Sequence, residues 1–274
     1  DCRKTIPTIT EPVKMCVTSP PYYGLRNYGG EDNQIGMEES PEKYVEQLVN
    51  VFRSVREVLT DDGTLWLNIG DSYYNYRSDG NYPKQTVSKT NQDLPSFSPV
   101  RGNKLEGYKS KDLIGIPWLL AFALRKDGWY LRQDIIWNKP NPMPESVKDR
   151  CTKSHEYIFL LSKSKNYYYD NESIKEPTKE GDTTKNKRSV WSVNKKPYKG
   201  AHFATFPPEL IEPCIKAGSQ KGDIILDPFI GSGTTAMVSK SLGRHYIGCE
   251  LHQSYNDLIQ NRVSQYTINL EDFV

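Results

Sequence analysis

The sequence predicts an α/β fold with a mainly parallel sheet, and three observations predict it. Short apolar runs of strand length alternate with amphipathic segments of helix length. A Gly-x-Gly turn, Gly231-Ser232-Gly233, joins one apolar run to the helix behind it. Two other runs stop sharply, at Ser19 and at Glu250, and in open α/β sheets the carboxyl ends of strands are where ligands bind. The 274 residues are enough for one substantial core and contain no internal repeat, so a single domain over 1–274 is expected.

Taken in order, residues 13–18 form an apolar strand that ends at Ser19-Pro20-Pro21-Tyr22, where paired prolines remove backbone donors and forbid further ladder. Ser40 is placed to cap a helix with Pro41 at its first position and Tyr44, Leu48, Val51, Phe52, Val55 and Leu59 along one face. Asp61-Asp62-Gly63 reads as the end of that helix, and 64–69 as a second buried strand. From 71 to about 111 the pattern dissolves into Tyr, Asn, Ser, Gly, Pro and Lys, a polar insertion long enough to be a functional or mobile loop. Order returns with a helix over 116–125 closed by Asp127-Gly128, then strands over 130–137 and 155–161. Residues 175–199 are rich in lysine, with Trp191 and Tyr198 interleaved. A helix over 208–216, a strand over 223–227, a helix over 234–242, a strand over 245–250 and a helix over 253–265 complete the chain.

Several function classes drop out. No apolar run approaches the roughly 18 residues a membrane helix requires, and no basic-then-apolar leader opens the chain, so neither a span nor a secretory signal is expected. Five cysteines lie scattered without a C-x-x-C and four histidines without H-E-x-x-H, which argues against a disulfide scaffold or a metal site and favours a reducing cytoplasm. A net charge of +2 excludes nothing, because a nucleic-acid face can sit inside a balanced total. The glycine turn lacks the lysine that would hold terminal phosphates. Gly231 to Ala236 also fits G-x-G-x-x-A, but too few residues follow for the second half of a dinucleotide fold. The N-terminal strands must therefore complete the sheet, and Ser19 and Gly231 should border one cleft.

Those two segments resemble the DNA amino-methyltransferases of the β group, which move a methyl group from S-adenosylmethionine (SAM) to an exocyclic nitrogen. That family carries Asp/Asn/Ser-Pro-Pro-Tyr/Phe, here Ser19 to Tyr22, ahead of Asp-Pro-Phe-x-Gly-Ser-Gly-Thr-Thr, here Asp227 to Thr235. The resemblance extends through 137–146, His155-Glu156-Tyr157 and 202–208. It implies a Rossmann-like fold, a twisted and mostly parallel sheet with helices on both faces, in the permuted motif order. It also implies a catalytic half over 1–170, a target-recognition region over 171–200 and a SAM-binding half over 201–274.

By the same resemblance Ser19 and the Pro20 carbonyl exchange hydrogen bonds with the amino group, Pro21 stiffens the loop, and Tyr22 stacks on a flipped base. Asp227, Pro228, Phe229 and the turn Gly231, Ser232, Gly233, Thr234 lie beside the methionine part of SAM, with His202 and Phe206 at its end. Glu250 binds the ribose hydroxyls and Asp1-Cys2 the adenine. Lys185, Lys187, Arg188, Trp191, Lys195 and Lys196 are the candidate DNA contacts, and the insertion adds Arg77, Lys84, Lys89, Arg101 and Lys104.

The serine form of the motif favours N4 of cytosine, with N6 of adenine as the alternative. Methylation at C5 would need a cysteine nucleophile, and Pro213-Cys214 lies in an amphipathic helix that reads as structural. Double-stranded DNA is the expected partner, without metal, in a cytoplasmic or nucleoid setting and beside a cognate restriction endonuclease or as an orphan. The rival classes are a DNA-binding module that has lost activity and a nicotinamide-dependent oxidoreductase.

Overall fold

Val13, Met15, Cys16 and Val17 are buried on both sides of strand β1 (Val13–Thr18), which explains why that strand reads as a continuous apolar run. The computed structural model describes residues 1–24, 34–74, 104–179, 181–195 and 206–264. His202, Lys196, Tyr198 and the insertion's Arg77, Lys84, Lys89 and Arg101 lie outside them.

In the central sheet β1 pairs in parallel with β2 (Leu59–Ile69) on one side and β8 (Ile224–Asp227) on the other, and β9 (His245–Gly248) extends the β8 side. Beyond β2 lie β4 (His155–Ser162), β3 (Tyr130–Asn138) and β7 (Val190–Ser192), giving the order β7-β3-β4-β2-β1-β8-β9. β4 is antiparallel to both neighbours and β7 is parallel to β3, so among the described strands of this sheet β4 alone is reversed. The mainly parallel sheet read from the sequence is the one observed. A short antiparallel pair, β5 (Glu176–Pro177) and β6 (Thr184–Lys185), stands apart from it.

A short helix, α1 (Cys2–Thr5), opens the chain, and longer helices cover both faces of the sheet. On one lie α2 (Pro41–Val58) and α3 (Ile116–Lys126), whose Tyr44, Leu48, Phe52 and Leu120 pack with Leu65 and Leu67. On the other, Leu210 and Ile215 of α4 (Pro208–Gly218) pack with Met15, Val17 and Trp66. Leu65 and Leu67 facing one layer and Trp66 the other is the two-residue alternation of a strand. A third cluster joins Ile230 and Ala236, the latter on α5 (Thr234–Ser241), to Ile259 and Val263 of α6 (Ser254–Ser264). Cys214 of α4 is fully buried, in keeping with a structural cysteine. No described helix is long and apolar enough to cross a membrane.

The helix starts follow their local chemistry. Ser40 is extended (φ −143°, ψ 156°) and its hydroxyl accepts from the Lys43 amide, with Pro41 at the first turn. α3 borrows its cap from a distance: Asp71 Oδ1 accepts from the amides of Gly115 at 3.0 Å and Ile116 at 3.1 Å. The Tyr73–Leu113 bridge and the Tyr74 amide bonded to the Asp112 carbonyl close the same neck, so the two ends of the polar insertion meet at the carboxyl end of β2.

One boundary differs from expectation. β2 begins at Leu59 rather than 64, and its register against β1 slips between Val13↔Leu59 and Met15↔Thr64. The Asp61-Asp62-Gly63 turn signal is a bulge inside the strand, held by Lys14 Nζ at 2.5 Å from Asp62 Oδ2.

Candidate functional site

The carboxyl ends of β1, β8 and β9 open into one cleft, and both motifs border it. From the first come Ser19, Pro20, Pro21 and Tyr22, and from the second Asp227, Pro228, Phe229, Gly231, Ser232 and Thr234. Asp1, Cys2, Phe206 and Glu250 line the same space.

Asp227 is 1% exposed. Oδ1 accepts from Thr18 Oγ1 at 2.6 Å and from the Phe229 amide at 3.0 Å, and Oδ2 accepts from Thr235 Oγ1 at 2.6 Å. Burial pushes its carboxyl up to about 6, the three donors pulling the other way and the Glu250 charge adding to the rise. The carboxylate thus fastens the end of β1 to the end of β8 and to the first turn of α5, and the cleft's two rims keep one spacing.

The glycine turn does two different things. Gly231 has φ +51° and open space where a Cβ would stand, the nearest atom being the Phe229 carbonyl oxygen at 3.9 Å, so its bare backbone faces the cleft. Gly233 does not line the cleft. It is the left-handed cap of α5, and a Cβ there would meet Ile259 of α6 at 3.1 Å. Arg262 of α6 donates to the Ser232 carbonyl at 2.8 Å and to its hydroxyl at 2.7 Å, clamping the turn from behind. Beyond β9, Glu250 Oε1 accepts from the His252 amide at 2.8 Å, and His252 and Tyr255 complete that wall.

On the opposite rim, Tyr44 Oη donates to the Pro21 carbonyl at 2.6 Å and fixes the proline loop. Tyr22 lies against Gly70, where a Cβ would come within 2.7 Å of its ring, so only glycine permits that approach. The Tyr22 hydroxyl donates to Glu156 Oε2 at 2.8 Å, and Ser19 Oγ stands 3.5 Å behind it as donor. Burial and the neighbouring carboxylate push the Tyr22 phenol well above its usual range. Glu156 is ion-paired with Lys139, and burial holds that ammonium below its usual value despite the pair. Asn68 Nδ2 donates to the Tyr157 carbonyl at 3.1 Å and more loosely to Glu156 at 3.4 Å.

Lys139 and Glu156 stand in segments that carry the resemblance but were given no role, and Asn68, Arg3, Arg262, His252 and Tyr255 are residues at or behind the cleft that the sequence reading did not single out. Asn68 and Glu156 carried a signal of a kind, each being a polar residue within a strand otherwise rich in apolar side chains.

The basic segment needs a correction. Trp191, named among the candidate DNA contacts, is 6% exposed in the β7 edge of the sheet, opposite Trp137, with its indole N–H donated to the Arg188 carbonyl at 2.7 Å. A large apolar side chain on a pairing strand is drawn into the core before it can serve a ligand. Arg188 Nε lies 2.6 Å from Glu176 Oε1 and Lys185 Nζ lies 3.8 Å from it, while Lys187 sits over the Trp191 ring at 5.1 Å. The Lys195 backbone exchanges hydrogen bonds with Asn141, at 2.9 and 3.1 Å, and the Lys195 charge is close enough to Lys139 to help hold that ammonium down. Among the described residues no group of three or more His, Cys, Asp or Glu is arranged to hold a metal.

Comparison with known proteins adds the family. The DNA methylase model for N6 and N4 enzymes matches residues 13–261. The type II methyltransferase M.Cfr9I of Citrobacter freundii is 53% identical over 258 residues, covering 94% of this chain and 83% of its own. M.SmaI of Serratia marcescens is 52% identical over 265 residues, covering 96% and 88%. Among solved structures, the cytosine-N4-specific PvuII DNA methyltransferase superposes with a TM-score of 0.70 at 18% identity, covering 99% of this chain and 87% of that one. A putative DNA modification methylase of Thermus thermophilus, complexed with SAM, gives 0.66 at 23%, covering 98% and 93%.

Proposed function

The chain belongs to the N6/N4 DNA methylase family, and from that premise we propose that it transfers a methyl group from SAM to N4 of cytosine in duplex DNA. The observation that carries this is the meeting of Ser19-Pro20-Pro21-Tyr22 with Gly231, Ser232 and Glu250 around one cleft.

The residues present fit SAM. The side-chain-free face of Gly231 leaves room for close backbone approach, and the cleft places a carboxylate, Glu250, at the end of the neighbouring strand, the position suited to ribose hydroxyls. Phe206, Phe229 and the Gly231–Ser232 backbone would hold the methionine part, and Asp1 and Cys2 the adenine. When bound, the cofactor supplies a methyl group activated by its sulfonium.

The protein's task is then positioning. An exocyclic amine is a weak nucleophile because its lone pair is delocalised into the ring, so it must be held in line and drawn toward tetrahedral geometry. The Ser19 hydroxyl and the Pro20 carbonyl face a nitrogen that becomes more positive as the reaction proceeds, which oxygen acceptors stabilise. Tyr22 would stack on a base extruded from the duplex. Lys185, Lys187 and Lys195 in the 171–200 region would contact phosphates, and a restriction endonuclease of the same specificity is the natural partner of such an activity. The serine at the head of the motif favours cytosine over adenine.

The test is to incubate the protein with SAM and unmethylated DNA of diverse sequence, digest to nucleosides and analyse by mass spectrometry. N4-methylcytosine is expected. N6-methyladenine would overturn the base and keep the reaction class, and neither mark would favour a DNA-binding module without turnover.

A further inference from the structure

We propose that the Tyr22 hydroxyl and the Glu156 carboxylate lock the Ser19 hydroxyl as a hydrogen-bond acceptor, so that the site selects a base offering an N–H at the reacting position and receives the proton that nitrogen sheds. This rests on the methyltransferase function proposed above, which supplies the amine.

The three oxygens form a chain with one direction. Glu156, ion-paired with Lys139, accepts through Oε2 from Tyr22 Oη at 2.8 Å, so the phenol proton is committed to it. Tyr22 Oη then has only lone pairs to offer Ser19 Oγ at 3.5 Å, and the Ser19 proton points that way. What remains on Ser19 toward the cleft is a pair of acceptor sites. A cytosine or adenine amine satisfies them; a keto oxygen in the same place would set lone pairs against lone pairs and leave a buried acceptor unpaired, a penalty rather than a missing bonus.

Glu156 is held in place by its neighbours. Lys139 is ion-paired with it, the two side chains being 12% and 16% exposed. The Asn68 amide presents its donor side at 3.4 Å, pinned in that orientation by the Tyr157 carbonyl at 3.1 Å. Gly70 lets the Tyr22 ring settle at the distance the chain requires.

The same chain disposes of the product proton. Once methylated, the nitrogen carries one proton too many. That proton moves to Ser19 Oγ as the Ser19 proton moves to Tyr22 Oη and the Tyr22 proton to Glu156 Oε2. One N–H and two O–H bonds break and three O–H bonds form. The nitrogen becomes neutral, Glu156 becomes a carboxylic acid, and the proton later leaves to solvent. The Tyr22 hydroxyl acts through Ser19, separately from the ring that stacks on the base, and Glu156, which acts only through that hydroxyl, is a positioning residue.

Tyr22→Phe keeps the ring and removes only the oxygen. Its kcat should fall about tenfold or more, while the KM for DNA and the calorimetric Kd for SAM stay within about twofold. Because the phenol acts through Ser19, Ser19→Ala/Tyr22→Phe should be no slower than Ser19→Ala alone, and Glu156→Gln should add nothing to Tyr22→Phe. Wild-type kcat in Tyr22→Phe, or losses that multiply in the double variants, would overturn the chain. Should Glu156→Gln misfold because Lys139 loses its partner, the Ser19/Tyr22 cycle decides alone. A wild-type protein that leaves no methylated nucleoside would overturn the enzyme function itself, a result distinct from an active wild type with additive variants.

Discussion

Thr18 Oγ1 and Asp227 Oδ1, separated by 209 positions in the chain, lie 2.6 Å apart with both residues buried. Each stands at the last position of its strand, one just before Ser19 and the other just before the glycine-turn segment. Beside the β1–β8 ladder, that hydrogen bond ties the Ser19 rim of the cleft to the glycine-turn rim.

That tie is sensitive to pH in a direction that follows from burial. Burial raises the folded-state pKa of Asp227 from the ordinary 3.8 to about 6, so between those values the folded protein holds a proton that the unfolded chain has lost. Its contribution to stability is greatest below the lower value and declines as pH rises through about 6, by about 3 kcal/mol in all. Asp227→Asn, which can still accept from Thr18 and Phe229, should gain on wild type between pH 4.5 and pH 7 in urea unfolding. A constant difference between the two proteins would place no titration on this carboxyl.

Gly231 is where the cofactor rim is most open to a local test. A valine there carries two penalties, a left-handed φ of +51° for a β-branched residue, costing about 1–3 kcal/mol, and methyl groups projecting into the cleft. Gly231→Val should abolish measurable SAM binding by calorimetry while the cooperative unfolding transition survives at lower temperature. Tight SAM binding by this variant would move the cofactor away from the turn.

Trp191 and Lys195 separate the basic segment into core and surface. Truncating a buried tryptophan to alanine costs about 3–5 kcal/mol, so Trp191→Ala should lower the melting temperature and weaken DNA binding only in step with unfolding. Lys195→Ala and Lys187→Ala should leave stability nearly unchanged and lower the slope of log affinity against log salt by about one unit each if both contact phosphates. Anisotropy titrations at several salt concentrations decide, and an unchanged slope would put the DNA face elsewhere.

The contrast marks what sequence reading can reach. Ser19-Pro20-Pro21-Tyr22 and Asp227 to Thr235 were legible because each is contiguous and sits where a strand must end, so local chemistry and position agree. The start of β2 was misread because a bulge and a helix terminator share the residues Asp61-Asp62-Gly63, and only pairing with β1 distinguishes them. Trp191 was misread because a basic neighbourhood suggested a ligand where strand pairing assigned a core. Glu156 stands in a segment that carries the family resemblance, but its place at the site is defined by Tyr22, 134 positions away, and by the Lys139 charge across the β3–β4 pair, so the sequence assigns it no role. Contacts of that range leave no periodicity in one chain.

Arg262 is the strongest case of such long-range dependence, and it can be tested on its own. It lies on the last described helix, and its guanidinium holds both the carbonyl and the hydroxyl of Ser232 from outside the cleft. Hydrogen bonds from a charged donor contribute about 1.5–3 kcal/mol, and here that energy goes to keeping the turn in the shape that presents Gly231. Arg262→Met, which fills space beside Met237 but loses the guanidinium donors to Ser232 and to the Met237 sulfur, should raise the Kd for SAM by about tenfold, or about 1.4 kcal/mol, with little change in kcat at saturating cofactor. A loss confined to kcat would mean that Arg262 acts on the base or the DNA rather than on the turn, and an unchanged Kd would mean that the turn holds its shape through Gly233 and Ile259 alone.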